Sequence, residues 1–287
     1  MNVYTFYRDA IGVDSFRRSM ERKAVDKWKE SWSKYGWNPI VLGMNDIPRD
    51  ELYDEYKNTV LRFPTVNDIH YELSCYLKWF SLLSVEEDLI VFSNYDVYNY
   101  GFETSHISGM GTGKAYDYDF CVVSYDSVLE FIDIILNARH DYDKYLTSIN
   151  GNQHMSDICI HQYLTKTEDH PFQPHSMFYD IKWKNDFGFP LDIYKSEVAP
   201  YFRGMSCLEG DELEHYSSEK NKNILVERWR DGILLGFNNH VIGFYAKIFC
   251  PDFIQEKYNW DLQEPIPYFI PKSELLEKIE ENINECL

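Results

Sequence analysis

Short apolar runs alternate with amphipathic segments along the first half of this 287-residue chain. Four runs have the length and composition of buried strands: residues 3–7, 39–43, 89–92 and 120–124. Between them, apolar residues recur at intervals of three and four and predict helices over 16–35, 65–83 and 127–136, the last capped by Ser127. A strand–helix–strand order favours a parallel sheet. The segment between the second strand and residue 65 is expected to be irregular.

The second half of the chain has weaker patterning. A helix is predicted from Ser156 and Asp157 through Leu164, and residues 165–225 are expected to form surface loops. Residues 233–237 predict a late strand that runs into Asn238-Asn239-His240, and residues 273–287 predict a final helix. Neither a repeat nor a linker is evident. We therefore expect one α/β domain over residues 1–287, with a mostly parallel sheet flanked by helices.

Charge and composition exclude several classes of protein. The formal net charge of −19 argues against nucleic acid or an anionic membrane as a partner. The six cysteines form no CxxC pair, so structural zinc and a disulfide framework are not expected. The sequence has neither a signal-peptide pattern at its first residues nor an apolar run long enough to span a membrane, and a cytoplasmic location is expected.

The most informative stretch follows the third predicted strand. Asn94 and Asp96 lie two residues apart just after that strand, so in an extended backbone their oxygens point the same way. Such oxygens suit a hard divalent cation that carries a diphosphate. The alternative is a polar turn stabilised by the side chains themselves. Arg8 follows the first strand and is a candidate contact to a nucleotide.

Three blocks of sequence carry a resemblance to a known family: residues 32–43, 68–79 and 91–97. With them, the first part of the chain resembles nucleotide-sugar-dependent glycosyltransferases of the GT-A fold, in particular the sugar-binding group with a DxD motif found in glycan synthesis of bacteria and large viruses. The resemblance implies a GT-A-like, Rossmann-type sheet. It also implies a nucleotide-sugar-binding part over 1–165 and an acceptor-side, C-terminal part over 166–287. The DxD position reads Asn94-Tyr95-Asp96 here, so the first carboxylate is an amide.

The resemblance also implies roles for single residues. Donor-binding residues would be Tyr4, Arg8, Lys78, Asn94 and Asp96. Asp96, Asn94 and His240 would hold Mn²⁺ or Mg²⁺, and Asp157 would be the general base of an inverting reaction.

Each of these roles has a structural alternative. Tyr4 is equally suited to the core, and Lys78 to a solvated helix surface. Asp157 is equally suited to the first turn of a helix, and His240 to a polar loop. His154 and His161 lack the spacing of a zinc site and are expected to face solvent or the acceptor.

Two further motifs are not interpreted as ligand-binding sites. Asp117-Tyr118-Asp119 precedes its strand, which in a parallel sheet is the end where ligands do not bind, so we interpret it as surface charge. Residues 108–114 lack the first glycine of a phosphate-binding loop and the Ser or Thr that follows its lysine, and a flexible loop is expected.

Three functions remain from these observations. The first is transfer of a sugar from a UDP- or GDP-linked donor to a hydroxyl of a glycan acceptor, dependent on a divalent metal. The second is a carbohydrate-binding protein without turnover, consistent with 17% aromatic residues. The third is nucleotidyl transfer to a sugar phosphate, which is disfavoured because no Gly-rich basic loop follows the first strand.

Overall fold

The structure, a computed structural model, describes residues 1–9, 15–97, 99, 103–105, 115–116, 120–149, 151–164, 217–230, 239–262 and 270–286. The described strands are β1 (Asn2–Phe6), β2 (Asn38–Leu42), β3 (Ile90–Ser93), β4 (Ala115–Tyr116), β5 (Phe120–Val123), β6 (Thr147–Ile149) and β7 (Asn152–His154). The described helices are α1 (Ser15–Ser33), α2 (Glu51–Val60), α3 (Ile69–Ser81), α4 (Tyr125–Asn137), α5 (Asp157–Leu164), α6 (Glu219–Arg230), α7 (Asn239–Phe249), α8 (Pro251–Tyr258) and α9 (Lys272–Glu285). The fold is mixed α/β.

The main sheet has five described strands in the order β2-β1-β3-β5-β4. Strand β1 is parallel to β2 along its whole length, from Asn2 opposite Asn38 to Phe6 opposite Leu42, and it is parallel to β3 on its other side. Strand β5 is antiparallel to both β3 and β4. Four of these five strands therefore run in one direction, which confirms a mostly parallel sheet.

The described residues fall into two compact units. The first contains Met1–Gly12, Asn38–Asn94 and Ile107–Met177, and the second contains Val13–Trp37, Tyr95–His106 and Phe178–Leu287. The main sheet belongs to the first unit. The organisation as one domain, divided near residue 165, stays a prediction.

Helix α3 is central to the core of the first unit. Asp68 caps its first turn by accepting hydrogen bonds from the backbone N–H groups of His70 (2.8 Å) and Tyr71 (3.2 Å). The buried face of the helix packs aromatic side chains against the sheet and α4, with the rings of Trp79 and Phe131 5.1 Å apart. These contacts form one apolar cluster with the inner residues of β1 and β3.

The second unit has a helical core. Apolar residues of α6, α7 and α8 pack with Leu275, Ile279 and Ile283 of α9. Helix α9 confirms the helix predicted over residues 273–287. In α1, the fully buried Trp32 donates its indole N–H to the backbone oxygen of Val97, 3.0 Å away.

The structure corrects several local predictions. Helix α2 occupies part of the stretch expected to be irregular, and α6 begins within the expected loop region at Glu219. Helix α4 is capped by Ser124, whose hydroxyl accepts from the Ser127 backbone N–H, and not by Ser127. His240 is the second residue of α7 and not part of a loop. The predicted strand 233–237, residues 108–114 and most of the predicted loop region lie outside the described residues.

Candidate functional site

The order of strands in the sheet indicates at which edge of the sheet a ligand binds. From β1 the chain passes to β2 on one side, and it later returns to β3 on the other side of β1. In open α/β sheets, ligands bind outside the carboxyl ends of the strands at such a reversal of order. Arg8 follows the carboxyl end of β1 and Asn94 follows that of β3. Two residues predicted for donor binding therefore follow the two strands that flank this reversal.

Hydrogen bonds fix the backbone where these strands end. The Tyr7 N–H donates to the backbone oxygen of Leu42 at 2.9 Å, and the Gly43 N–H donates to Asp46 Oδ2 at 2.7 Å. The hydroxyl of the fully buried Ser93 donates to the backbone oxygen of Asn94 at 3.0 Å. The edge thus has a defined shape around the half-buried Asn94.

Arg8 supplies positive charge at this edge. Its Nη1 atom is buried and has no hydrogen-bond partner in the part of the chain that the structure describes. A buried guanidinium N–H is costly to leave unpaired. An anion with several oxygens, such as a phosphate group, is the partner for which arginine geometry is best suited.

Asp96, in the second unit, lies close to a lysine. Its Oδ2 atom is 3.8 Å from Nζ of Lys272, the first residue of α9, and the two side chains are 19% and 22% exposed respectively. Among the described residues, His, Cys, Asp and Glu form no group of three or more that could hold a metal ion. The site for Mn²⁺ or Mg²⁺ at Asn94, Asp96 and His240 stays a prediction.

Two predicted residues meet in the core of the first unit. Lys78 Nζ, near the end of α3, lies 2.8 Å from Oδ2 of Asp157, the first residue of α5. The same oxygen accepts a hydrogen bond of 2.9 Å from the indole N–H of Trp79. The side chains of Lys78 and Asp157 are only 11% and 2% exposed. This buried ion pair holds two helices together and occupies the carboxylate that the resemblance assigns to a general base.

A second polar group lies in the same core. The buried Glu72 accepts a hydrogen bond of 2.6 Å from Asn67 Nδ2, and its Oε1 atom is 3.9 Å from His154 Nε2. Burial, together with the nearby charge of Asp157, raises the pKa of Glu72 to about 7, although the Asn67 bond and Lys78 oppose the shift. Burial lowers the pKa of His154. The carboxyl group of Glu72 therefore titrates near neutral pH.

The histidines correct an expectation. His154 and His161 were expected to face solvent or an acceptor, but they are 5% and 0% exposed. The ring of His161 stacks on Phe131, with centroids 4.0 Å apart. Sequence reasoning also overlooked Glu72 and Trp79. The available signal was the helical spacing: Glu72 is next to the buried Leu73 and one helical turn before the buried Tyr76.

Tyr4 is engaged away from Asn94. Its hydroxyl donates to Glu87 Oε1 at 2.8 Å and accepts from Asn2 Nδ2 at 3.2 Å, and Glu87 precedes β3. Burial, reinforced by the Glu87 bond, raises the pKa of Tyr4 to about 12. These contacts link the starts of β1 and β3, so the side chain of Tyr4 stabilises the sheet.

The interpretation of Asp117-Tyr118-Asp119 as surface charge rested on a parallel fourth strand, and that premise is wrong. Phe120, the first residue of β5, is opposite Ser93, the last residue of β3. The start of β5 is therefore at the same edge as the carboxyl end of β3. Residues 117–119 themselves lie outside the described residues.

Comparison with models of known protein families gives no match, and comparison with curated proteins gives no significant match either. Among the helices that the structure describes, none is long and apolar enough to cross a membrane.

Proposed function

We propose that this protein is a glycosyltransferase that moves a sugar from a UDP- or GDP-linked donor to a hydroxyl group of a glycan acceptor. The observation that carries the proposal is the reversal of strand order between β1 and β3, with Arg8 and Asn94 following the two carboxyl ends. A nucleotide diphosphate is an anion of the size and charge that such an edge binds. The buried, unpaired Nη1 of Arg8 supports this choice of ligand within the described residues.

The chemistry of transfer needs the negative charge of the leaving diphosphate to be balanced. Arg8 contributes one positive charge at the edge, and its planar guanidinium group suits phosphate oxygens. Asn94 adds an amide that can donate to, or accept from, a donor hydroxyl group. A second positive charge comes either from a divalent cation, as the sequence predicts, or from a side chain of the protein.

Asp157 enters the proposal as a positioning residue. Its carboxylate is bonded to both Lys78 and Trp79, so a proton transferred from an acceptor would disrupt a buried ion pair. We therefore assign it to fixing α5 against α3. The base that deprotonates the acceptor hydroxyl is left unassigned.

Thermal unfolding in the presence of nucleotide-sugars tests the proposal. The protein is melted with a panel of UDP- and GDP-linked sugars, each with and without Mn²⁺. One nucleotide should stabilise the wild type, and Arg8→Met should lose that shift because its guanidinium group is gone. Arg62→Met, which removes an exposed arginine after α2, is the matched control and should keep the shift. An unchanged shift in Arg8→Met would contradict the assignment of the edge.

One observation favours a second function, a carbohydrate-binding protein without turnover. The carboxylate that the resemblance assigns to catalysis is occupied in the Lys78–Asp157 pair. Under this alternative the protein is stabilised by free glycans and by none of the nucleotides. The same melting panel, extended to free oligosaccharides, separates the two functions.

A further inference from the structure

We propose that the groove between α2 and α4 binds a basic amphipathic helix of a partner protein. The groove has a volume of about 420 Å³, and its apolar lining comes from Leu52 of α2 and from Leu129, Ile132 and Leu136 of α4. All four residues belong to the first unit. This interaction surface is separate from the carboxyl edge of the sheet and does not depend on the proposed sugar transfer.

An apolar stripe runs along α4, and the protein covers it only in part. The side chains that form the stripe recur at helical spacing and therefore lie on one face of the helix: Tyr125, Leu129, Ile132 and Leu136. Ile132 and Leu136 are buried, and α2 packs against this helix. Tyr125 and Leu129, one turn apart, are 40% and 41% exposed. The open half of the stripe thus offers apolar anchor points of the kind that helix-in-groove recognition uses.

The groove also carries negative charge. Asp126, Glu130 and Asp133 line it, and no Lys, Arg or His is among the described residues that do so. These acids follow one another at spacings of four and three, so like charges are neighbours on the helix surface and destabilise the helix slightly. Arg139, which follows α4, already pairs with Glu55 of α2 at 2.7 Å. Helix stability therefore does not account for a row of three acids, whereas lysine and arginine side chains of a partner would complement it.

The charge of the groove selects among possible occupants. A second copy of this chain, bound by two-fold symmetry, would place the same acids opposite one another. Nucleic acid and anionic membranes would also be repelled, since the formal net charge of the protein is −19. A helix with apolar residues at intervals of three and four, flanked by Lys or Arg, complements both the apolar stripe and the acidic row. A basic amphipathic helix is thus the occupant that matches the groove.

Fluorescence anisotropy with a labelled synthetic peptide tests the inference. The probe is a helical peptide of about four turns with leucine at positions i, i+3, i+4 and i+7 and lysine on its other face. The full-length protein should bind it at least about tenfold more tightly than a scrambled peptide of the same composition, which lacks the apolar face. Leu129→Ser should weaken binding by about three- to eightfold, because a partly exposed anchor is lost. Glu130→Gln should weaken it by about two- to fivefold, and by less at high salt. Glu256→Gln removes an exposed glutamate of α8 that does not line the groove, and should bind as the wild type does.

Several results would overturn the proposed docking site. Equal affinity for the two peptides would show that only overall charge attracts them, and absence of binding would exclude the groove as a site for such a helix. Binding that neither Leu129→Ser nor Glu130→Gln weakens would place the peptide elsewhere on the protein. Sedimentation of the protein alone tests the remaining occupant: a dimer that Leu129→Lys dissociates would assign the groove to a second copy. None of these measurements involves a nucleotide, so the transferase proposal stands or fails separately.

Discussion

Replacing Asp157 by asparagine separates a structural role from a catalytic one. Asparagine keeps an oxygen that can accept the hydrogen bond from Trp79, but it leaves the buried ammonium group of Lys78 without a counter-charge. Removing one partner of a buried ion pair destabilises proteins by about 3–5 kcal/mol. For a chain of this length the midpoint of thermal unfolding then falls by roughly 10 °C. Asp157→Ala should cost about 1–3 kcal/mol more, because the Trp79 N–H also loses its acceptor.

The assay is urea unfolding followed by far-UV circular dichroism, with two further variants. Glu55→Gln removes one partner of the Arg139–Glu55 pair, which is 2.7 Å long but about half exposed, and should cost at most about 1 kcal/mol. Lys78→Met combined with Asp157→Asn should cost less than the sum of the single changes, because no buried charge remains. If Asp157→Asn unfolds at the same urea concentration as the wild type and loses only transfer activity, the structural role is refuted and the residue is the base.

Two further predictions concern pH and helix capping. Glu72 has a pKa of about 7 in the folded protein, above its usual 4.5, so between these pH values the folded state binds more protons than the unfolded state. The free energy of unfolding therefore falls by up to about 3 kcal/mol as the pH rises through this range. Glu72→Gln should remove this fall in stability and be more stable than the wild type at pH 8. The urea midpoints of both proteins, measured from pH 5 to pH 8, test this prediction. The lowered pKa of His154 acts in the opposite direction, but His154 is present in both proteins. An equal pH dependence of the two proteins would contradict the assignment. Asp68→Ala should lose about 1 kcal/mol through the hydrogen bonds to His70 and Tyr71, whereas Asp68→Asn should lose little; equal losses would exclude capping as the cause.

The elements that were correctly predicted have strong local signals. An apolar helical stripe predicts α3, although the helix begins at Ile69 and not at residue 65 because Asp68 caps it. Short apolar runs predict β1 and β3. Helix α2 was missed because only one of its four buried positions, Val60, is aliphatic; the others are Tyr53, Tyr56 and Thr59, and neither tyrosine nor threonine by itself indicates the core. The direction of β5 was missed because it depends on pairing with β3, which no local pattern encodes.

In the candidate site, too, features set by local sequence could be predicted and features set by contacts between distant residues could not. Its location could be predicted, because Arg8 and Asn94 immediately follow apolar strands. Its ion pairs could not be predicted. Lys78 meets Asp157 and Asp96 meets Lys272 across long separations in sequence, through the packing of whole helices. Lys78 and Asp96 were therefore assigned to a ligand, and Asp157 to catalysis, where the structure gives each of them a protein partner.

Release of nucleotide diphosphate from nucleotide-sugars is the direct test of sugar transfer by this protein. The purified protein is incubated with UDP- and GDP-linked sugars and a mixture of glycan acceptors, and the nucleotide products are measured by mass spectrometry. One donor should yield its nucleotide diphosphate together with an elongated glycan, and Arg8→Met should form far less of both. Absence of nucleotide diphosphate with every donor, while the protein binds free glycans, would contradict the transferase function and support the carbohydrate-binding alternative.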